Sequence, residues 1–429
     1  MATERHGEEP SAEDAPLGRW GALAIRDFQL FWAQGLLQGL ARNMRELLLG
    51  FLVFDLTGSK LDLGITGLFM TMPVIVLGLL GGALADAVDR KRLIIYTQAA
   101  NFLGLALLPV LIFSGAVQVW HLWLLASFWS GMSILGRPAE RAFLPRLVPR
   151  SHVMNGITWF GALSQGTLFG GPLVGGVLIA IVGVGWAFAV NAAFLLLAVI
   201  ATMAIRTSGE QLGEARRVSF AAIWEGARYL RTKDVLWGAY LMDFGVMSFG
   251  FFRIIMPALA EEVYGVGAVG LGMLVAAPAA GSFLGTAILL RMGDPPRKGV
   301  MIVLANVGYS IGLAALGLAA LALSSWFYLA LAVLAFLGLM DVVSFTARQA
   351  LIQLVAPDYY RGRVGSFSSI LAGLGNGTGS TVIGGMSTLA GVPGAFIING
   401  CICLGITVAS GLTWRGIWRH DQRTETPAD

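Results

Sequence analysis

Twelve runs of mainly apolar residues are the feature that most constrains this chain. A run of about 20 apolar residues spans the roughly 30 Å hydrocarbon core of a bilayer. Charged residues make up only 13% of the 429 residues, whereas a soluble domain carries roughly 25%. Because lipid offers the backbone no hydrogen-bond partner, each run is expected to be an α-helix. The sequence therefore predicts an all-α integral membrane protein with twelve transmembrane helices, near residues 28–54, 63–84, 93–114, 119–137, 154–178, 183–205, 236–259, 268–291, 299–322, 325–346, 366–391 and 393–415.

Lysine and arginine are distributed unequally between the two sets of connectors. One set carries basic clusters, for example at 90–92 and within 206–235, whereas the other set contains Lys60 alone. Basic residues concentrate in cytoplasmic connectors. This asymmetry predicts a multi-pass protein of the plasma (inner) membrane with both termini in the cytoplasm.

The two halves of the chain resemble each other at an offset of about 207 residues. The segment 141–148 aligns with 348–355, and Gly175-Gly176 aligns with Gly384-Gly385 at an offset of 209. Ordered matches of this kind indicate an internal duplication, and hence two pseudo-symmetric six-helix bundles. The predicted divisions are a disordered cytoplasmic tail at 1–25, a six-helix half at 26–205, a cytoplasmic linker at 206–235, a second six-helix half at 236–416 and a cytoplasmic tail at 417–429.

The linker contains a segment, 218–232, whose apolar residues recur at helical spacing. Charged residues separate them, so the segment predicts an amphipathic helix. Such a helix lies on the inner leaflet of the membrane, or alternatively docks a partner. The apolar positions are Phe220, Ile223, Trp224, Ala227 and Leu230.

A glycine- and charge-rich segment follows the second apolar run and reads Gly82-Ala-Leu-Ala-Asp86-Ala-Val-Asp89-Arg90-Lys91. It resembles the G-x-L-x-D-x-x-G-R-[RK] signature of the major facilitator superfamily, with Asp89 where many members have glycine. The resemblance implies a cytoplasmic latch formed by Gly82, Asp86, Arg90 and Lys91, in which Asp86 can cap a helix N-terminus. The alternative is an ordinary basic loop.

Two further motifs resemble the enterobactin-exporter and macrolide-efflux-like branch of that superfamily, and the likeness extends over residues 25–415. The segment 357–366 is similar to P-x-x-x-R-G-R-V-x-S, and Gly171-Pro172-Leu-Val-Gly175-Gly176 is similar to the antiporter motif G-P-x-x-G-G. The second motif also has a purely structural interpretation, as a kinked, closely packed helix. The resemblance implies a monomeric secondary transporter whose halves rock around a central cavity, with inward proton flow driving a small molecule out.

Ionisable residues at membrane depth are expensive and are functional candidates. The first run carries Arg42, Arg45 and Glu46, and the seventh carries Asp243 and Arg253. Arg253 lies 207 residues after Glu46. We therefore expect Glu46 to pair with Arg253 across the two halves when the cavity faces inward. The alternative is a pair between Glu46 and Arg42, four residues apart on one helix.

Three carboxylates are candidate proton carriers, because a carboxyl in a low dielectric can bind and release a proton near neutral pH. They are Glu46, Asp243 and Asp341. Asp341 has a second interpretation, as a gate partner of Arg348 or Arg141. We expect the cavity between the halves to be amphipathic and lined by Trp32, Gln34, Gln38, Asn43 and Phe252, with Phe31 and Met44.

Other functional classes find little support in the sequence. It shows no nucleophile, base or metal constellation typical of an enzyme, no cofactor motif and no basic stripe with interleaved aromatics typical of nucleic-acid binding. The expected partners are the lipid bilayer, protons and a bulky amphipathic substrate such as a drug, macrolide or siderophore. An importer or uniporter of a small metabolite is the main alternative, and a membrane sensor or enzyme on the same fold is a remote one.

Overall fold

A computed structural model of the chain describes residues 21–210, 220–293, 295–322, 326–414 and 416–419. A few helical residues, among them 78–87 and 220–223, are described by their backbone alone. Most of the predicted terminal tails lies outside the described residues. All regular structure in these ranges is helical, and no strand occurs in them.

The helices follow the apolar runs. Seven helical segments in the described ranges are long and apolar enough to cross a bilayer, and two of these exceed 50 residues. The helices are α1 (Arg26–Thr57), α2 (Lys60–Ala87), α3 (Arg90–Phe113), α4 (Val119–Phe143), α5 (Val153–Ala204), α6 (Phe220–Arg231), α7 (Asp234–Gly250), α8 (Met256–Ala258), α9 (Gly267–Met292), α10 (Lys298–Ala322), α11 (Phe327–Val355), α12 (Asp358–Thr413) and α13 (Gly416–Arg419).

The two longest helices, α5 and α12, are each interrupted by one glycine. Gly183 has φ 82° and ψ 165°, and Gly391 has φ 73° and ψ 166°. These glycines are 208 residues apart in the sequence. A side chain is strongly disfavoured at such angles. Each glycine therefore marks a sharp corner between two helical arms, at equivalent places in the two halves.

The predicted seventh span, 236–259, is not a single helix. Helix α7 ends at Gly250, and the chain continues through a 3₁₀ turn at Arg253–Ile255, then α8, then a π-helical turn at Leu259–Tyr264. The Tyr309 hydroxyl donates a hydrogen bond of 2.8 Å to the freed carbonyl of Gly250. Broken helices are tolerated at membrane depth where side chains satisfy the backbone and the break lines a cavity.

Helix α4 extends further than the predicted span, which ends at residue 137. It continues to Phe143 through Pro138, so that Arg137, Glu140 and Arg141 all belong to the helix. Residues three or four apart share a helix face. These three charges therefore project from one side of α4.

The two halves meet at two crossings of paired glycines, one between α2 and α12 and one between α5 and α9. A β-carbon on Gly64 would lie 3.2 Å from the Cα of Gly384, and one on Gly176 would lie 3.1 Å from the Cα of Gly272. Gly272 follows Gly64, and Gly384 follows Gly176, by 208 residues. The two crossings are therefore symmetric, and they correct the predicted alignment of these glycines from an offset of 209 to 208.

The close contacts between the halves lie towards one end of the bundle, where α1 ends and α2 begins, which we call the closed end. At the opposite end, the open end, a β-carbon on Gly161 or Gly166 of α5 would meet no atom within 4 Å. Phe160, Leu163 and Ser164 of the same stretch of α5 line a cavity. A cavity therefore enters the bundle from the open end, where α1 begins.

The predicted amphipathic helix corresponds to α6. Its Ala227 and Leu230 are buried, whereas Trp224 is 69% exposed. The side chains of Phe220 and Ile223 lie outside the described residues. The indole of Trp224 is a large apolar side chain left exposed for contact with lipid or a partner.

Helix α6 is anchored to the start of α12. Glu225 accepts a hydrogen bond from Arg363, and the Tyr229 hydroxyl donates 3.1 Å to the carbonyl of Val355. The rings of Tyr229 and Tyr360 stack with centroids 4.4 Å apart. These contacts attach the linker helix to the second half of the chain.

Candidate functional site

A central cavity of about 320 Å³ lies between the two halves. Glu46 of α1 and Arg137 of α4 line it from the first half, and Arg253 and Asn376 line it from the second. Apolar walls complete it, formed by Leu47, Met70, Ile134, Ile254, Leu271 and Val275. A cavity with apolar walls and a few converging polar groups has the character of a small-molecule site.

Glu46 and Arg253 face this cavity from opposite halves, as their sequence positions predict. Their charged atoms are nevertheless not joined by an ion pair within 4.0 Å in the described part of the chain, and neither are those of Glu46 and Arg42. The expected closed pair is therefore not formed in this state. Both charges remain directed at the cavity space between them.

A second cavity of about 270 Å³ is lined mainly by the second half, with Leu168 of α5 from the first, and shares Arg253 and Asn376 with the central cavity. Asp243, Phe252 and Asp341 also line it. We call it the carboxylate cavity. The helix break after α7 is what brings Phe252 and Arg253 to its wall.

Asp243 is already bonded within this cavity. Arg348 of α11 donates a hydrogen bond to Asp243, and the two side chains are 5% and 14% exposed respectively. Arg348 therefore bonds Asp243, whereas the sequence suggested Asp341 as its partner. A buried arginine paired in this way costs far less than an unpaired one.

A third cavity, of about 250 Å³, opens in the first half, and three arginines and one glutamate line it. We call it the arginine cavity: Gln38, Arg42, Arg137, Glu140 and Arg141. The sequence analysis missed Arg137 and Glu140 because Arg137 is the last residue of the fourth apolar run and Glu140 follows it. Their spacing with Arg141, at i, i+3 and i+4, is the signal that could have placed them on a helix face.

Arg45 is the most enclosed of the α1 charges. It is 8% exposed, and its guanidinium lies 5.0 Å from the centre of the Trp129 ring. Stacking of this kind stabilises a cation on an aromatic face. Arg45 thus has an aromatic partner, whereas Arg42 faces the arginine cavity.

The residues expected to line a central cavity fall into two groups. Gln38 and Phe252 do line cavities. Gln34 is buried and donates 2.6 Å to Gln38, and Asn43 is buried and donates 2.8 Å to the carbonyl of Gly39. Trp32 packs against an apolar cluster near the open end. Gln34 and Asn43 are therefore buried with hydrogen-bond partners one turn away on α1 itself.

Phe31 and Met44 also belong to buried clusters and do not line a cavity in the described residues. The rings of Phe31 and Phe160 stack at 5.3 Å. These two expected cavity residues are core residues of the first half.

The latch segment has an internal structural role. Asp89 caps α3 by accepting a 2.8 Å hydrogen bond from the backbone N–H of Arg92. Arg90 donates 3.1 Å to the carbonyl of Ala142, and Lys91 donates to the carbonyl of Ile205. The aspartate that departs from the family pattern is thus a helix cap, and the segment binds α4 and the end of α5 together.

The other two latch residues, Gly82 and Asp86, are described by their backbone alone. Their backbone belongs to α2. The predicted latch action of Gly82 and Asp86 stays a prediction.

The antiporter-like motif forms close helix contacts on two sides. A β-carbon on Gly171 would lie 2.6 Å from the Asn43 Cβ. One on Gly175 would lie 2.9 Å from Met44, so both glycines pack against α1. Pro172 and Gly176 approach α9 instead, where the Pro172 carbonyl oxygen would lie 2.8 Å from a β-carbon on Gly272. The motif accounts for close packing in the way that small residues do in membranes.

The closed end contains an ion pair that the sequence analysis did not identify. Lys60 at the start of α2 lies 2.8 Å from Glu262 in the π-helical turn, and both side chains are partly exposed. The pair connects the two halves. Lys60 stood out as the single basic residue in its set of connectors, and that isolation was the available signal.

A helical bundle that is closed at one end and entered by a charged cavity from the other is typical of a membrane transporter. Solved structures share the fold. A bacterial homologue of the human lysosomal transporter Spinster, in an inward-facing and unoccupied conformation, superposes with a TM-score of 0.72 at 14% identity, covering 94% of this chain and 98% of that one. A POT family transporter in complex with 5-aminolevulinic acid gives a TM-score of 0.70 at 12% identity, over 92% of this chain and 97% of that one.

The chain belongs to the transmembrane secretion effector family, MFS_3, whose profile matches residues 17–421. The enterobactin exporter EntS of Shigella dysenteriae serotype 1 is 25% identical over 321 residues, which cover 72% of this chain and 73% of the exporter. EntS of Escherichia coli O1:K1 is 25% identical over 319 residues, with the same coverage. The family and these relatives are transporters rather than enzymes, and the predicted membership of the major facilitator superfamily is confirmed.

Proposed function

We propose that this protein is a proton-coupled exporter that moves a bulky amphipathic small molecule out of the cytoplasm by alternating access. The observation that carries the proposal is the central cavity, which is lined by ionisable groups from both halves and lies behind a closed end. The similarity to enterobactin exporters supports the outward direction. The chain acts as a monomer, because one copy contains both halves of the cavity.

The helices fit twelve membrane passes arranged as two bundles of six. Helices α5 and α12 each supply two passes, on either side of Gly183 and Gly391. The α7–α8 segment supplies one, and α1 to α4 and α9 to α11 supply one each. With the basic connectors in the cytoplasm, the open end faces inward, so the structure corresponds to the inward-facing state.

Two carboxylates are the leading proton carriers in this proposal. Asp341 lines the carboxylate cavity from the open side, and no ion pair within 4.0 Å holds it in the described residues. Glu46 lines the central cavity, and no ion pair within 4.0 Å holds it in the described residues either. Protonation of Asp243 would release Arg348, so that Asp243 couples proton binding to the position of α11.

Everted membrane vesicles energised to an inside-acid pH gradient test the proposal. A pH-sensitive dye reports proton release when drugs, macrolides or catechol siderophores are added. Wild type is compared with Glu46→Gln, Asp243→Asn and Asp341→Asn. Asp234→Asn is the matched control, because Asp234 is exposed in the first turn of α7 and lines none of the described cavities.

Substrate-dependent proton release should disappear in at least one cavity variant and persist in the control. Loss in all four variants would indicate a folding defect, which thermal unfolding of the purified variants would detect. Undiminished proton release in all three cavity variants would refute the assignment of these carboxylates. Movement of a substrate without any proton release would refute the coupling and leave facilitated diffusion.

A further inference from the structure

The cavities that lie between the closed end and the open end are lined by more positive than negative groups. Five arginines and four carboxylates line them: Arg42, Arg45, Arg137, Arg141 and Arg253, with Glu46, Glu140, Asp243 and Asp341. One of these carboxylates, Asp243, is neutralised by Arg348, which does not itself line a cavity. Five positive groups then face three negative ones, an excess of two.

The excess is concentrated in the first half. The arginine cavity has Arg42, Arg137 and Arg141 against Glu140 alone. In the neighbouring part of the bundle, Arg45 is stacked on Trp129. None of the five cavity arginines has an ion pair to a described carboxylate within 4.0 Å. Arg42 and Arg137 differ from the other three in that they line two cavities together.

A guanidinium at membrane depth is expensive unless it has an anionic partner or water. Its planar fork of N–H donors matches a carboxylate or phosphate in two parallel hydrogen bonds. Arg42 and Arg137 line two shared cavities, so one ligand group can reach both. The apolar wall formed by Met70, Ile254 and Leu271 lies in the adjoining central cavity, which Arg137 also lines.

We propose that the transported molecule is an amphipathic organic anion. Its carboxylate or phosphate group binds Arg42 and Arg137, and its apolar body lies against the wall of the central cavity. Glu46 lines two of the same cavities as Arg137, so its negative charge opposes the binding of an anion there. The inference rests on the proposed transport function and specifies its substrate class.

Equilibrium binding to the purified full-length chain tests the charge preference without requiring transport. Two dyes share a xanthene core but differ in charge: 5-carboxyfluorescein is anionic and rhodamine 123 is cationic. Fluorescence anisotropy measures the Kd of each. We expect 5-carboxyfluorescein to bind at least about tenfold more tightly than rhodamine 123, a difference of about 1.4 kcal/mol, and to weaken as salt is added.

Variants separate a local charge effect from a loss of folding. Arg42→Gln and Arg137→Gln should each weaken 5-carboxyfluorescein binding about tenfold, the order expected when one charged hydrogen-bond partner is removed. Glu46→Gln should strengthen it, a gain that a misfolded protein would not show. Arg228→Gln is the matched control, because Arg228 is exposed on α6 and lines none of the described cavities.

Equal or tighter binding of rhodamine 123, or no measurable binding of 5-carboxyfluorescein, would overturn the inference. Proton exchange driven by a cationic drug, together with no preference for the anionic dye, would do the same while leaving the exporter proposal standing. The reverse combination, tight 5-carboxyfluorescein binding that depends on Arg137 with no proton exchange for any compound, would retain the anion site and remove the proposed antiport.

Discussion

Replacing Gly176 by alanine should open the closed end. A β-carbon at this position would lie 2.5 Å from the carbonyl oxygen of Ala268 and 3.1 Å from the Cα of Gly272. Both obstructing atoms are backbone, so no change of rotamer relieves the clash. The helices α5 and α9 must separate or shift, which destabilises the state in which they touch.

The expected size follows from the cost of overpacking, about 1 to 3 kcal/mol. If this cost applies only to the closed arrangement, the ratio of open to closed molecules at this end rises between about 5-fold and about 150-fold. The conformation that is open at this end gains population, and the conformation described here, which is closed at this end, loses it. A serine at Gly176 should act in the same direction.

Cysteine labelling measures this shift. Ser133 lines the central cavity and serves as the reporter, as Ser133→Cys in a background with Cys401→Ser and Cys403→Ser. A membrane-impermeant maleimide, applied on the side of the closed end, reaches it only when that end is open. The labelling rate should rise with Gly176→Ala.

Gly166→Ala is the control on the same helix, because a β-carbon at Gly166 would meet no atom within 4 Å. It should leave the rate unchanged. An unchanged rate for Gly176→Ala would refute the reasoning that this crossing holds the end closed. An equal rise for both variants would show that any added side chain on α5 has the effect.

Three further results are expected. Lys60→Glu should raise the same labelling rate less than fivefold, because a partly exposed ion pair contributes about 1 kcal/mol or less. Adding Glu262→Lys should return the labelling rate to the wild-type value. Absence of this rescue would contradict the pairing. Asp243→Asn should lower the stability in a thermal-unfolding assay by about 3 kcal/mol or more, since it leaves Arg348 buried and unpaired, and an unchanged Tm would show that the pair contributes nothing. Tyr229→Phe should lower the stability of the α6 contact by about 1 kcal/mol and increase proteolysis of the linker, because one hydrogen bond that anchors α6 is lost. Unchanged proteolysis would show that the stacked rings of Tyr229 and Tyr360 are enough to hold α6 in place.

The sequence located the helices well because the membrane imposes a strong local rule. Each apolar run became helical, and the linker segment 218–232 became α6. The exception was the seventh run, where the break after Gly250 depends on a hydrogen bond from Tyr309, a residue nearly 60 positions away. No local pattern in 236–259 contains that information.

The candidate site was predictable only in part. Arg253 and Glu46 do share a cavity, and the signal that pointed to both was a charge within an apolar run. Arg137 was overlooked, since a charge at the end of an apolar run is normally assigned to the connector. Gln34 and Asn43 were placed in the cavity although they pack inside the first half, because polarity alone does not indicate which neighbouring helix a side chain faces.

The glycine corners at Gly183 and Gly391 have a practical consequence for mapping the topology. Each joins two helices with no intervening loop, at backbone angles that only glycine adopts readily. An epitope tag or glycosylation site inserted there would have to break both helices. The turn around Gly115 is different, because residues 114–118 lie between the end of α3 and the start of α4 and belong to neither helix. Tags that report the side of the membrane should therefore be inserted at 114–118, where the chain can accommodate additional residues.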